Sequence, residues 1–407
     1  MHLFVLPLFF ALCGLALYTV LGGADFGAGW WQLAAGRSPH ADHIRDHAHH
    51  AMAPVWEANH VWLIFVLTIF WTAYPIAFAS VSSTLAIPLF VAGVGVILRG
   101  TTYALRAAAE SPREVRAIDT AFAFSSILTP LALGAAAGGI ASQRVPVGNA
   151  TGDLVSSWLN STSVSIGALA VVAAAYLAAV FLAADAVRLG DAELEGAFRI
   201  RALATGVVAG AVAITTLLVI RSDAHRLFHR LVEGRGLPAL IVSIAAGIAT
   251  LALVWRRRYE PARYSAAVAV AAIIAGWAFA QSPVLLPGLT VKAAAAPRET
   301  LIAVVVAVLA GTVVLFPALA WLFRLVLSGR FDQPEMQLDQ KPSSELLHTT
   351  ARGLSARFAV ALLIVGFGLT TVADSSWAHV VGVTALLGFI ALAFPAALPP
   401  TLNSGGR

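Results

Sequence analysis

Residues 3–22 read LFVLPLFFALCGLALYTVLG, a run of twenty without a formal charge. At about 1.5 Å of rise per residue in a helix, such a run matches the ~30 Å hydrocarbon core of a bilayer. No Lys or Arg precedes it, and it passes into Gly22-Gly23-Ala24-Asp25 without a small-residue cleavage signal. It therefore reads as a retained span and not as a signal peptide. Comparable runs recur at 57–78, 80–104, 118–140, 163–187, 202–220, 236–255, 264–286, 300–326, 355–373 and 377–397, about eleven in all.

Composition agrees: of 407 residues, 59% are hydrophobic and 12% charged, and mean hydropathy is +0.83. No water-soluble globular domain approaches these values. The fold class that follows is an all-α, polytopic transmembrane bundle. A polar interval at 328–354 reads as a cytoplasmic linker. It divides a nine-helix body at 1–327 from a two-helix segment at 355–407. Gly134 with Gly138, and Gly206 with Gly210, have the spacing that lets helix backbones approach closely.

A single Cys excludes a disulfide framework and any CxxC redox pair. The net charge of +5 and pI near 9.8 do not indicate nucleic acid, because the basic residues lie between apolar runs. Of the 26 Lys and Arg, 18 fall in or beside the odd-numbered loops and seven in the even-numbered ones. The positive-inside bias then predicts odd loops and C-terminus in the cytoplasm, with the N-terminus outside. One even loop dissents: 221–231 carries three Arg, with Leu227, Phe228 and Leu231 on one side of a short helix along the outer interface.

A carboxylate at membrane depth costs about 2.5–3.5 kcal/mol on insertion scales, so each one needs an account. Only Asp25, Glu57, Asp119 and Asp185 lie in or against a predicted span. Asp25 is expected to end the first helix and Glu57 to begin the second, which makes them candidate neighbours across one hairpin. Glu57 and His60 are three residues apart, about 300° around a helix, and so share a face. A carboxylate and an imidazole so placed can exchange a proton through water; an interhelical hydrogen-bond cluster that merely fixes packing fits the spacing equally well. Arg99 ends the third span, either as counter-charge to Glu57 or Asp25 or as an interfacial Arg reaching for the headgroups. Asp185 with Arg188 reads as an ion pair within one helix.

The first loop holds His40, His43, His47, His49 and His50, but without a recognised metal-ligand spacing. No metal site is expected. Haem is also poorly served, because His60 and His379 are the only His in or beside a span and no Met lies mid-span.

The block Trp56-Glu57-Ala58-Asn59-His60-Val61-Trp62, preceded by Gly23-Ala24-Asp25-Phe26-Gly27 and followed by Leu98-Arg99-Gly100, resembles subunit II of the cytochrome bd-type quinol oxidases. Gln281-Ser282-Pro283 through Pro287 resembles the proline-bearing end of that family's eighth helix. The resemblance covers about residues 1–327. It implies a bacterial cytoplasmic-membrane oxidoreductase that oxidises quinol and reduces dioxygen to water. Haems b and d would lie in a partner, subunit I, and this chain would bind none of its own. A structural quinone and small single-span accessory subunits are further companions that the family suggests. Carried over by motif, Glu57 matches the acid of a proton-entry route and Asp25 a second acid; His60, from its spacing to Glu57, is the third candidate for that proton pathway. Arg99 would be the charge partner, with Trp56, Asn59 and Trp62 as structural motif residues. The family's earlier acid is absent, since Gly22 stands in its place. The competing classes are a proton-coupled secondary transporter, which would show repeated broken helices, and a purely structural partner subunit.

Overall fold

The computed structural model describes residues 2–36, 41–52, 56–106, 111–327, 358–359, 361–366, 369 and 375–397. The expected linker at 328–354 lies outside the described residues. The chain divides into two compact units, Met1–Leu319 and Ala320–Arg407.

In the first unit, α1 (Leu6–Ala34) is the hub. It packs against α3 (Trp56–Ala73), α6 (Pro112–Ala141), α7 (Ser161–Leu189) and α11 (Tyr259–Gln281). Around this centre α5 (Ala86–Arg106) lies on α6, α8 (Ala192–Asp223) on α7, and α10 (Leu237–Trp255) on α11. Short elements close the ends: α2 (Ala41–Met52), α4 (Pro75–Thr84), α9 (His225–Val232), the hairpin β1 (Val284–Leu286) and β2 (Leu289–Thr290), and α12 (Val291–Ala294). The last long helix, α13 (Arg298–Leu327), begins in this unit. In the second unit, residues 361–366 are helical and pack on α14 (Ser376–Ala397). A Cβ at Gly366 would come 2.7 Å from Leu386.

Among the described residues, seven helices are long and apolar enough to cross a membrane, or eight if the bent pair of α4 and α5 counts as one. The exteriors are apolar, with Ile64, Trp71, Phe90 and Ile97 exposed, a surface that lipid or a partner subunit has to cover. The interior is built from small residues. Ala178, Ala179 and Ala183 of α7 and Ala262 and Ala266 of α11 are fully buried, and small side chains allow helices to pack closely where water supplies no hydrophobic drive.

Three expectations need correction. The run at 57–78 is not one helix, because α3 stops before Tyr74 and α4 restarts at Pro75. Proline cannot donate to the ladder and disfavours helical backbone at the residue before it. Tyr74 uses the break: its hydroxyl donates to Phe4 O at 2.7 Å and accepts from Leu8 N–H at 2.9 Å. The run at 80–104 bends by 84° at Leu85, where Pro88 can make no bond back to Thr84. Lastly, the His-rich stretch is a helix, α2, and not an open loop.

The close-approach glycines divide. Gly134 and Gly138 of α6 face Gly167 and Ser163 of α7, whose Cα atoms lie 2.8 and 2.4 Å from where a Cβ would stand. Gly206 is crowded by Leu251 and Tyr176, but Gly210 has nothing within 4 Å.

Candidate functional site

Asp25 does not end the first helix; α1 continues nine residues further, to Ala34. Glycine lowers helix propensity, so tertiary contact has to hold the stretch. It does so by proximity. A Cβ on Gly27 would sit 1.9 Å from Ala174 O, in the backbone of α7, and one on Gly29 would sit 2.0 Å from Ser126 Oγ of α6. The glycine-rich stretch is thus where three helices converge, and Asp25 lies inside that convergence, fully buried.

Arg99 reaches Asp25 from α5 and is buried as completely. Its Nε donates to Oδ2 at 2.9 Å and Nη2 to Oδ1 at 2.6 Å, a bidentate grip, and Nη2 also meets the Asp25 carbonyl at 2.6 Å. Nη1 donates to Ser126 Oγ, and that hydroxyl in turn donates to Phe122 O at 2.6 Å. The guanidinium lies 4.1 Å from the Phe122 ring centre and 5.0 Å from that of Phe26. Of the alternatives open for Arg99, counter-charge to Asp25 is the one realised. Its side chain points inward, not to the headgroups.

Tyr18, Asp25 and Gln32 recur every seven residues along α1 and so share one face. The Tyr18 hydroxyl and Gln32 Nε2 are buried without a protein hydrogen-bond partner among the described residues. From α3, Asn59 is buried and donates to Leu21 O at 3.2 Å. His60 approaches Tyr18 edge-on, with ring centres 6.4 Å apart. Trp62 packs at right angles to Phe65. Glu57 and Trp56 belong to the first turn of α3; their side chains, and that of His379, lie outside the described part. The proposed neighbourhood of Glu57 with Asp25 therefore stands as an expectation.

Tyr18, Gln32 and Ser126 were not singled out from the sequence. The seven-residue spacing from Asp25 could have found the first two. Ser126 offers only the Ser125-Ser126 pair in an apolar helix.

One end of the bundle gathers three further acids, Asp185, Asp191 and Glu195. Asp185 accepts from Arg188 at 3.0 Å, the expected pair, and also from Arg263 of α11 at 3.4 Å. Glu195, overlooked among the candidate acids, is buried in the first turn of α8. It accepts from the Tyr259 hydroxyl and from Arg257 at 3.2 Å. Asp191 caps α8, accepting from Leu194 N–H at 2.9 Å and Glu193 N–H at 3.1 Å. Chiefly the Leu194 bond, with His43 and His47 adding positive potential, holds its carboxyl below the usual carboxylate range. His43 meets Asp191 at 3.1 Å and His47 meets Leu182 O at 3.1 Å. Among the described residues no group of three or more His, Cys, Asp or Glu is arranged to hold a metal ion. His40, and the side chains of His49 and His50, lie outside them.

A multi-helix membrane bundle with a bidentate ion pair buried at its hub is a construction in which charge inside the bilayer has been matched deliberately, as functional membrane proteins do. The sequence profile of the cytochrome bd terminal oxidase subunit II family matches residues 3–326, and the chain belongs to that family. It is thus part of a bd-type quinol oxidase complex, a membrane oxidoreductase. A Bacillus subtilis (strain 168) protein, named as a cytochrome bd menaquinol oxidase subunit II, is 24% identical over 237 residues, covering 57% of this chain and 67% of its own. In the solved bd oxidase of Geobacillus thermodenitrificans, one chain superposes with a TM-score of 0.67 at 23% identity. That match covers 82% of this chain and 100% of the other, and supports the fold.

Proposed function

We propose that within the oxidase this chain scaffolds a haem-bearing subunit I and lines a proton path from the cytoplasm, with Glu57 and His60 as carriers and Asp25 as a held charge. The observation that carries this reading is the polar face of α1, Tyr18, Asp25 and Gln32, with His60 and Asn59 of α3 packed beside its Tyr18 end. Buried hydroxyl and amide groups without protein partners are where ordered waters reside, and waters relay protons between titratable side chains. Arg99 grips both Asp25 oxygens, so this carboxylate is suited to setting the local field and less to passing protons on.

Haem chemistry is assigned to the partner because a six-coordinate haem needs two axial ligands. Within the spans, His60 is the one His or Met whose side chain is described. Dioxygen reduction and quinol oxidation on this reading occur across the interface. The orientation proposed is N-terminus outside and C-terminus in the cytoplasm. It is supported by the basic turns at 188–201 and 256–263 sharing one end of the bundle, joined through Glu195 with Arg257 and Asp185 with Arg263. The segment 355–407 is proposed to cover a flank that small accessory subunits occupy elsewhere.

Glu57→Gln in the assembled complex tests the proton role. Oxygen reduction is expected to slow by about a hundred-fold, the lower range for loss of a positioned proton carrier, with haem content unchanged and Glu57→Asp retaining turnover. Unchanged oxygen consumption would leave the scaffold role and remove the proton role.

A further inference from the structure

The dissenting basic loop of the sequence folds as α9, an amphipathic helix whose Leu227 is buried against Ile220, Ala224 and Ala280. Its opposite face carries His225, His229 and Glu233 at successive intervals of four residues, one above the other. His225 Nδ1 lies 3.2 Å from Arg221 O, and His229 Nδ1 lies 2.8 Å from Glu233 Oε2. A carbonyl and a carboxylate only accept, so each Nδ1 must carry its hydrogen. In the neutral rings this leaves both Nε2 atoms as lone-pair acceptors. Those two atoms face each other at 3.0 Å, with the ring planes at 90°.

Two lone pairs at this separation repel unless a cation lies between them. We propose that His225 and His229 form a two-imidazole site for a borderline divalent transition ion such as Zn²⁺, Cu²⁺ or Ni²⁺. Metal–nitrogen bonds of about 2.0–2.1 Å place two ligand nitrogens ~3.3 Å apart at a tetrahedral angle and ~2.9 Å apart at a square-planar one. The observed 3.0 Å lies between these, so binding requires shifts of a few tenths of an ångström. Glu233 acts on the far nitrogen of His229, the position from which a carboxylate orients a metal-bound imidazole and raises its basicity. Two of the basic neighbours are turned elsewhere: Arg221 lies over the Phe228 ring and Arg230 reaches Ala280 O. Among the described residues no third protein ligand completes the set. Water fills the other positions, and the ion is exchangeable, not structural. Imidazole donors select against Mg²⁺ and Ca²⁺.

Cu²⁺ titration of the purified oxidase complex, followed by electron paramagnetic resonance, tests this. The wild type should show a component with hyperfine splitting from two nitrogens. His225→Asn and His229→Asn should each abolish it, with oxygen turnover unchanged. Glu233→Ala should weaken Cu²⁺ binding by about ten-fold, the effect of losing a carboxylate behind a ligating imidazole. If both His variants titrate like wild type, or the wild type shows no two-nitrogen component, the pair holds only a bridging proton and the proposal is overturned.

Discussion

Two bidentate guanidinium–carboxylate pairs stand at different depths of this bundle. Asp25 with Arg99 joins α1 to α5 with both side chains essentially inaccessible, at 1% and 0%. Arg144 with Asp223 joins the end of α6 to the end of α8, with accessibilities of 34% and 21%. The contacts are alike in kind: two bonds of 2.8 Å in the outer pair, plus a Thr162 hydroxyl at 2.6 Å, and Ser126 as the third partner of the inner one. What differs is the fate of the survivor if one partner goes. At the outer site, water solvates the remaining charge. At the inner site nothing can, so a buried pair costs most when it is half removed, even where its net contribution to stability is small.

The largest effect is therefore expected from Arg99→Met, about 3–5 kcal/mol, the penalty for an uncompensated buried charge. It should be read as a large drop in the thermal stability of the purified complex. The double variant Asp25→Leu with Arg99→Met should recover most of the loss, because no unpaired charge remains. Equal damage in the single and double variants would break the argument from burial. Arg144→Gln should cost about 1 kcal/mol, the scale of a solvent-accessible pair, and lower the melting temperature only slightly. A drop as large as that of Arg99→Met would show that depth does not separate the two sites.

A third acid, Asp191, extends the comparison to the wet limit, for it pairs with an exposed His43 and caps α8. Asp191→Ala should cost about 1 kcal/mol as a lost N-cap. Its folded pKa is depressed, so the stabilisation it adds is present above the unfolded value of about 3.9 and declines as pH falls through the lower folded value. Melting curves of wild type and Asp191→Asn should therefore differ above the unfolded carboxylate value of about 3.9 and draw together as pH falls below it. A difference that persists undiminished at low pH would assign the effect to something other than this carboxylate.

Much of the candidate site was legible before any coordinates. Asp25 and Arg99 stand out because charges are rare in apolar runs, and the block at 56–62 carries a motif. Asp25 is not the helix end that the length of the apolar run suggests. In the fold the glycines around it are the surface on which α6 and α7 rest, and the helix continues through them. Glu195 was passed over because it lies in a charged stretch, and only the Tyr259 hydroxyl from another helix makes it a buried acid. The helix of α9 is expected from its apolar side, but only the side-chain hydrogen bonds of its polar side turn His225 and His229 toward each other.

The one-dimensional chain thus determined the solvent, because twenty-residue apolar runs have no stable place except a bilayer, and it determined which few side chains would be costly there. The partnerships belong to the tertiary structure alone. Asp25 and Arg99 are 74 residues apart, and no local rule pairs them. Packing of α1, α5 and α6 through glycine and serine brings the charges to hydrogen-bonding distance, and at that distance a buried carboxylate becomes tolerable.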